Sequence, residues 1–292
     1  MSTSVAVLMS DPQVPLDPTM VAAVADATEA KPLWLAPNQA VEFALDDRPH
    51  WDAMLRTVVG AARVDLAIIP SDNRRKRLLI ADMDSTIIEQ ECIDELAAEV
   101  GKRDEVAAIT ERAMRGEIDF ADALRERVAT LRGLPIEAAE RVLRDRIHIR
   151  SGASELVQTM RAGGAHTMLV SGGFTHFTKA IAAAVGFDEN QANTLLTAGD
   201  RFAGEVADPI LGREAKLEAL NRATASHAIT AADVLAVGDG ANDLAMIEAA
   251  GLGVALHAKP AVAARADVSI RYGDLTSLLY LQGYRAEEFV RD

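Results

Sequence analysis

Four short stretches carry residue types that could do chemistry together. Asp82-Met83-Asp84-Ser85-Thr86 sets two carboxylates two residues apart. Leaving an extended strand, such a pair lies on one side, where it can share a divalent cation while one carboxylate attacks an electrophile. For two aspartates alone, an acidic turn or a helix cap is the competing reading. A calcium loop fits poorly, because the spacing after Asp84 offers Thr86 and no glycine turn. Ser171-Gly172-Gly173-Phe174 brings a hydroxyl and glycine N–H groups, an anion site where they open a helix and an ordinary loop where they do not. The Lys-Ser/Thr ending of a nucleotide P-loop is missing there. Lys216, in Leu211-Gly212-Arg213-Glu214-Ala215-Lys216, reads by itself as a surface lysine. Gly238-Asp239-Gly240-Ala241-Asn242-Asp243 joins a tight glycine turn to oxygen donors (Asp239, Asn242, Asp243) suited to magnesium.

Three of these stretches follow short apolar runs, Leu78–Ala81, Thr167–Val170 and Val234–Val237, and a fourth run occupies Leu252–Ala255. Continuous apolar strands separated by helical patterns predict an α/β fold, a doubly wound parallel sheet covered on both faces. Ligands of such sheets bind beyond the carboxyl ends of the strands, which is where the Asp pair, the serine and the glycine turn fall. Residues 89–150 hold amphipathic helical patterns and no strand pattern, so they predict a helical cap inserted over that edge and able to act as a lid.

The first 72 residues predict a separate small α+β unit. Seven of the ten prolines and both tryptophans lie in residues 1–70. The expected elements are strands at Ser4–Met9, Lys31–Leu35 and Asp65–Ile69 and helices at Pro18–Glu29 and Trp51–Ala62. Ser71 to Arg77 reads as a polar linker; Arg74-Arg75-Lys76-Arg77 is too short, in too acidic a chain, for a nucleic-acid patch. The division is therefore 1–72 and 73–292, and a chain beginning near Asn73 is expected to keep the intrinsic chemistry.

The 292 residues carry 30 Lys and Arg against 44 Asp and Glu, a formal charge of -14. That field repels polyanions, so neither nucleic acid nor an anionic membrane is an expected partner, while a small phosphorylated substrate held by local donors is allowed. Cys92 is the single cysteine, which excludes an internal disulfide and fits a reducing, cytoplasmic setting. No apolar run is long enough to span a membrane, and Met1–Met9 lacks the basic start and long apolar core of a signal peptide. The six histidines show no metal-ligand spacing.

Taken together and in this order, the four stretches resemble the haloacid dehalogenase superfamily of phosphohydrolases. Asp82-x-Asp84-x-Thr86 matches its first motif, Ser171 its second, Lys216 its third, and Gly238-Asp239-Gly240-x-Asn242-Asp243 its fourth, over about residues 76–284. A narrower resemblance, to the phosphoserine phosphatase family, runs through Glu91-Cys92-Ile93-Asp94-Glu95, Met114-Arg115-Gly116, Phe120, Leu124-Arg125-Glu126-Arg127-Val128 and Ala258-Lys259-Pro260. Relatives often carry regulatory modules of the ACT type before the catalytic domain, and the first 72 residues suit one β-α-β unit of that kind.

The resemblance implies hydrolysis of O-phosphoserine, the last step of serine biosynthesis. It implies Asp82 as the nucleophile that forms an aspartyl-phosphate and Asp84 as the acid, then the base. Magnesium is expected between Asp82, the main-chain carbonyl of Asp84 and Asp239, with Asp243 behind them. Ser171, Gly172, Lys216 and Asn242 are expected around the phosphate. Glu91 suits the substrate ammonium and Arg127 its carboxylate, against the plainer reading of a surface ion pair. Met114 and Phe120 are expected as apolar lid contacts. A related phosphatase or phosphotransferase for another small phosphomonoester is the alternative, and a homodimer is left open. A sensor with a dead phosphatase domain is expected to have lost Asp82, Asp84 or Asp239, and none is lost.

Overall fold

The protein is described here from a computed structural model covering residues 4–46, 48, 50–115 and 117–291. Gly116 and the side chain of Met114 lie outside the described residues. The chain opens with β1 (Ser4–Ser10), α1 (Pro18–Thr28), β2 (Leu33–Ala36), β3 (Ala40–Leu45), α2 (Trp51–Val59) and β4 (Val64–Pro70). The strands form an antiparallel sheet in the order β2-β3-β1-β4. One strand more is present than the sequence reading expected. β3 alternates buried and less buried residues behind a left-handed turn at Asn38 (φ 60°), and it converts the expected β-α-β-α-β order into β-α-β-β-α-β.

From residue 78 the chain follows β5 (Leu78–Ala81), α3 (Cys92–Glu99), α4 (Arg103–Met114), α5 (Phe120–Ala129), α6 (Ile136–Asp145), α7 (Ala153–Ala162), β6 (His166–Phe174), α8 (Thr175–Val185) and β7 (Glu189–Asn193). It continues through β8 (Leu195–Ala198), β9 (Arg201–Val206), α9 (Arg213–Ser226), β10 (Val234–Gly238), α10 (Leu244–Ala249), β11 (Leu252–Leu256) and β12 (Val268–Ile270). Strands β12-β11-β10-β5-β6-β7 make a parallel sheet. Alternate residues of one strand feed opposite layers: Leu79 and Ala81 join one core with Leu169, Leu235 and Val237, whereas Leu78 and Ile80 join another with Met168, Val234 and Ala236. Burial on both faces is why these strands read as unbroken apolar runs.

Helices α3 to α6 form the cap. Its two connections to the sheet run side by side: Glu89 N donates to His148 O at 3.0 Å and Arg150 N to Ile87 O at 2.9 Å, around the Ile88–Ile149 bridge. The β8–β9 hairpin is a second excursion beside the cap. It is stitched to the α5–α6 connection by Gly133 N to Phe202 O and Phe202 N to Leu134 O, both 2.9 Å.

The segment after Pro70 is only in part the solvated linker expected from its composition: Asp72, Asn73, Arg75 and Arg77 are exposed, but Arg74 is not. Arg74 is 12% exposed, pairs with Glu42 at 2.8 Å and donates to the carbonyls of Leu281 and Tyr280. Arg75 pairs with Glu288 and stacks on Tyr284. The antiparallel sheet is also buried on both faces: Ala6, Leu8 and Phe43 face α1 and α2, while Val5, Val7 and Met9 share the core of the parallel-sheet layer. Asp65, 3% exposed, accepts three backbone N–H bonds, from Arg271 (2.8 Å), Tyr272 (3.1 Å) and Gly273 (2.8 Å).

Asp65→Ala strips acceptors from three inward-facing N–H groups. Leaving such donors unpaired costs about 1–3 kcal/mol each, so urea unfolding is expected to show a loss of about 3 kcal/mol or more. Asp65→Asn, which keeps an acceptor oxygen, is expected to lose less.

Candidate active site

Asp82 follows β5 directly, and its N–H donates to Val237 O of β10 at 3.0 Å, which extends the sheet ladder to the first carboxylate. The chain then turns through Met83–Ile87, with Ser85 in the left-handed region (φ 57°). This turn directs Asp82 and Asp84 to different partners. Asp82 Oδ1 meets Lys216 Nζ at 2.6 Å, and the same ammonium meets Asp243 Oδ1 at 2.5 Å. Lys216 is 2% exposed and Asp243 fully buried, so the lysine is a core residue and not the surface residue its local sequence suggested. Asp243 Oδ2 accepts the N–H groups of Asp239 (3.1 Å) and Gly240 (2.9 Å), which fixes the glycine turn after β10. Thr86 Oγ1 donates to Asp239 Oδ1 at 3.1 Å.

Asp84 sits on the other side of the turn. Its Oδ1 accepts Cys92 N at 3.0 Å and its Oδ2 accepts Ser171 Oγ at 3.2 Å, while Ser171 Oγ accepts Gly173 N at 2.8 Å. Cys92 thus contributes its backbone, at the start of α3, and its thiol is buried with its pKa pushed well up by that burial. Gly172 and Gly212 both lie under the Phe120 ring of the cap; a Cβ at either position would stand 3.2 Å from ring carbons. Glycine at those two places lets the cap ring descend onto the serine loop.

Glu91 is held by Ser85 Oγ at 2.7 Å. Arg127, half-buried on α5, donates Nε to Ala123 O at 3.2 Å. Burial lowers its pKa, against the raising charges of Glu91, Asp94 and Asp84. Arg127 therefore lies within the field of Glu91. Asn242 is half-buried on the glycine turn beside Asp243.

Burial dominates the electrostatics. Desolvation raises Asp82 well above the usual carboxylate range, Asp243 adds to this, and Lys216 opposes it. Asp84 is raised mainly by burial, against its hydrogen bonds from Cys92 and Ser171. Burial, then the charge of Asp243, takes Asp239 to about 6. Glu91 reaches about 7 through desolvation and the nearby charge of Asp84; although its side chain opens to the cleft, the walls around it limit hydration. For Lys216, burial alone would lower the pKa, and the charges of Asp243 and Asp82 reverse that, so it is raised.

Oxygens of Asp82, Asp239 and Asp243 lie within 4.8 Å of one another. One lysine charge faces those three carboxylates and Asp84. An all-oxygen donor set with an excess of negative charge fits a small, hard divalent cation of the magnesium kind.

Three contributors were not singled out in the sequence. Asn193, 2% exposed at the end of β7, donates Nδ2 to the carbonyls of Gly172 (2.9 Å) and Leu211 (3.1 Å) and accepts Leu211 N (2.7 Å), tying the serine loop to the approach to α9. Arg150, at the cap exit, donates to the carbonyls of Thr86 and Ser85, both at 3.0 Å, and so holds the left-handed turn. His257 meets Arg150 at 3.2 Å through Nδ1 and Gly273 O at 2.8 Å through Nε2.

The model of the haloacid dehalogenase-like hydrolases matches residues 79–248, which span the Asp pair, Ser171, Lys216 and the glycine turn. The chain belongs to that family. Among haloacid dehalogenase-like hydrolases it is similar to the phosphoserine phosphatase of Streptomyces coelicolor, with 40% identity over 256 residues, 86% of this chain. The chain spans 62% of that relative's length. A probable phosphoserine phosphatase from Vibrio cholerae, solved unliganded, superposes with a TM-score of 0.80 at 31% identity, covering 96% of this chain and 86% of that one. A phosphoserine phosphatase solved as a phospho-aspartyl intermediate analogue superposes with a TM-score of 0.66 at 38% identity, covering 70% of this chain and 98% of that one.

Asp82, Asp84, Asp239 and Glu91 all have raised folded-state pKa values. A raised carboxyl favours the folded state while protonated, and that contribution is lost as pH rises from the unfolded value through the folded one. The metal-free chain is therefore expected to lose stability between about pH 4.5 and about pH 7. Saturating magnesium should flatten this slope, with proton release on binding. Thermal melts across that range, with and without magnesium, are the measurement.

Proposed function

We propose that this chain hydrolyses O-phosphoserine to serine and phosphate through an aspartyl-phosphate on Asp82, as the last step of serine biosynthesis. The observation that carries the reading is the pairing of two sites: the buried Asp82–Lys216–Asp243 network beside Asp84 and Ser171, and, from the cap, Glu91 and Arg127 with opposite charge. The similarity to phosphoserine phosphatases supports it.

Lys216 occupies Asp82 Oδ1, which leaves Oδ2 to attack phosphorus. As the new O–P bond forms, the bond from phosphorus to the serine oxygen breaks, and Asp84 gives that oxygen a proton. Its burial-raised pKa suits a carboxyl that must carry a proton first. In the second half Asp84 takes a proton from water, the water oxygen bonds to phosphorus, and the bond to Asp82 breaks. The Ser171 hydroxyl, the Gly172 N–H and Lys216 hold the phosphoryl oxygens, with Asn242 beside them, where charge-assisted bonds count most as charge redistributes. Asp82, Asp239 and the Asp84 carbonyl would hold magnesium, which supplies charge neutralisation between carboxylate and phosphate. Phe120 over Gly172 excludes water.

Residues 1–72 are proposed to be an ACT-like regulatory unit preceding a phosphatase domain of residues 73–292. A cytoplasmic setting is supported by the single cysteine; among the described residues no helix is long and apolar enough to cross a membrane.

Phosphate release from a panel of phosphoserine, sugar phosphates and nucleoside monophosphates tests the reading; a preference for another phosphomonoester, or phosphoryl transfer to a second alcohol, sinks it. Asp82→Asn keeps the shape and removes the anionic nucleophile, so turnover should fall by roughly three orders of magnitude or more. A phosphoryl group trapped on any other residue contradicts the mechanism.

Selectivity has its own test. Glu91→Gln removes the charge that meets the substrate ammonium, and Arg127→Ala leaves the substrate carboxylate unpaired. Either loss should cost about 2–5 kcal/mol with phosphoserine, roughly 30-fold or more in kcat/KM. p-Nitrophenyl phosphate, which has neither group, should lose far less. Equal losses would assign both residues to cap structure.

A further inference from the structure

We propose that His166, Glu189 and His227 form a second metal site, suited to a borderline divalent transition ion of the zinc type. The three side chains come from different elements: His166 opens β6, Glu189 opens β7, and His227 ends α9. Their ligand atoms lie within 4.8 Å of one another. β6 and β7 are neighbouring parallel strands, and His166 N is fixed to Arg77 O at 2.9 Å. The cluster is thus at the amino edge of the sheet, about 16 Å along β6 from Ser171 at the usual rise of an extended strand, and the hydrolytic reaction does not use it.

One pair of the set already stands at a ligated spacing. His166 Nε2 stands 3.1 Å from Glu189 Oε1. Tetrahedral zinc, with bonds of about 2.0–2.1 Å, holds adjacent ligand atoms about 3.3 Å apart, so an ion can replace the shared proton with little movement. The His227 ring lies beside that of His166, centroids 4.2 Å apart and tilted by 31°. On the other side of the ring, His166 Nδ1 faces Asp188 Oδ2 at 3.6 Å. Asp188 is anchored by Thr167 N and Oγ1, each at 2.9 Å, and by Arg161 at 2.8 Å. That anchored carboxylate places a fixed negative charge beside the His166 ring, which favours a cation there. Two imidazoles and a carboxylate favour zinc, cobalt or nickel over magnesium, which takes oxygen. The fourth position opens on a cleft of about 740 Å³ lined by His166, His227, Gln158 and Arg161.

The test is calorimetric titration of the full chain with Zn²⁺ in saturating magnesium, paired with Co²⁺ titration followed by visible absorption. Expected are one equivalent of zinc bound beyond magnesium and a cobalt band of tetrahedral intensity. His166→Ala and His227→Ala should each weaken zinc binding by more than roughly 100-fold, above what removing an outer partner costs, and abolish the cobalt band. Both variants should keep magnesium-dependent phosphate release, which shows that they fold. The proposal is overturned if no zinc binds once magnesium is saturating, or if both histidine variants bind it as the parent chain does.

Discussion

A buried ammonium between two buried carboxylates is the constraint on which the site depends. Lys216 cannot leave Asp82 and Asp243 without stranding charge in the core, and breaking such a group by removing one member costs about 3–5 kcal/mol. The contact draws the first turns of α9 against the ends of β5 and β10. Asp243 then passes the constraint on through its second oxygen, which clamps the backbone of Asp239 and Gly240. Three distant segments are thereby registered by one side chain. The same arrangement creates a charge imbalance that a divalent cation would relieve, so the architecture of the core and the proposed chemistry at its edge rest on the same few residues.

Much of this was legible in the sequence, for a physical reason. Strands buried on both faces must be apolar throughout, so β5, β6, β10 and β11 announce themselves, and reactive residues must then follow them. Edge elements carry no such demand. β7 reads Glu-Asn-Gln-Ala-Asn and β12 spans only Val268–Ile270, and both were missed, as was the β8–β9 hairpin. β3 was missed although its alternation could have been found. Lys216 looked exposed because only the fold brings Asp82 and Asp243 to it. The histidines were dismissed on spacing along the chain, yet β6, β7 and α9 bring His166, Glu189 and His227 together.

The segment after Pro70 teaches a related point. Composition marks Arg74 and Arg75 as solvent-loving, but the guanidinium of Arg74 finds Glu42 on one side and two carbonyls on the other. Charge in a sequence predicts a need for partners and does not say whether water or protein will supply them. For Arg74 protein supplies them, and a junction read as a polar linker ties β3 to the carbonyls of Tyr280 and Leu281.

The cap and the catalytic turn are likewise joined. Ser85 adopts a conformation unfavourable for a residue with a side chain, and it is retained because Arg150 takes its carbonyl and that of Thr86. The Ser85 hydroxyl holds Glu91, and Thr86 holds Asp239. Arg150 belongs to the connection by which the cap returns to the sheet, and through His257 it reaches the carbonyl of Gly273, whose N–H is bound by Asp65 of the antiparallel sheet. A proposed selectivity residue, a candidate metal ligand and the cap hinge therefore meet at one turn. Displacing that connection must pull on the carbonyls of the two residues whose hydroxyls hold Glu91 and Asp239, so the proposed substrate selection and phosphoryl chemistry share a mechanical support even though they use different atoms.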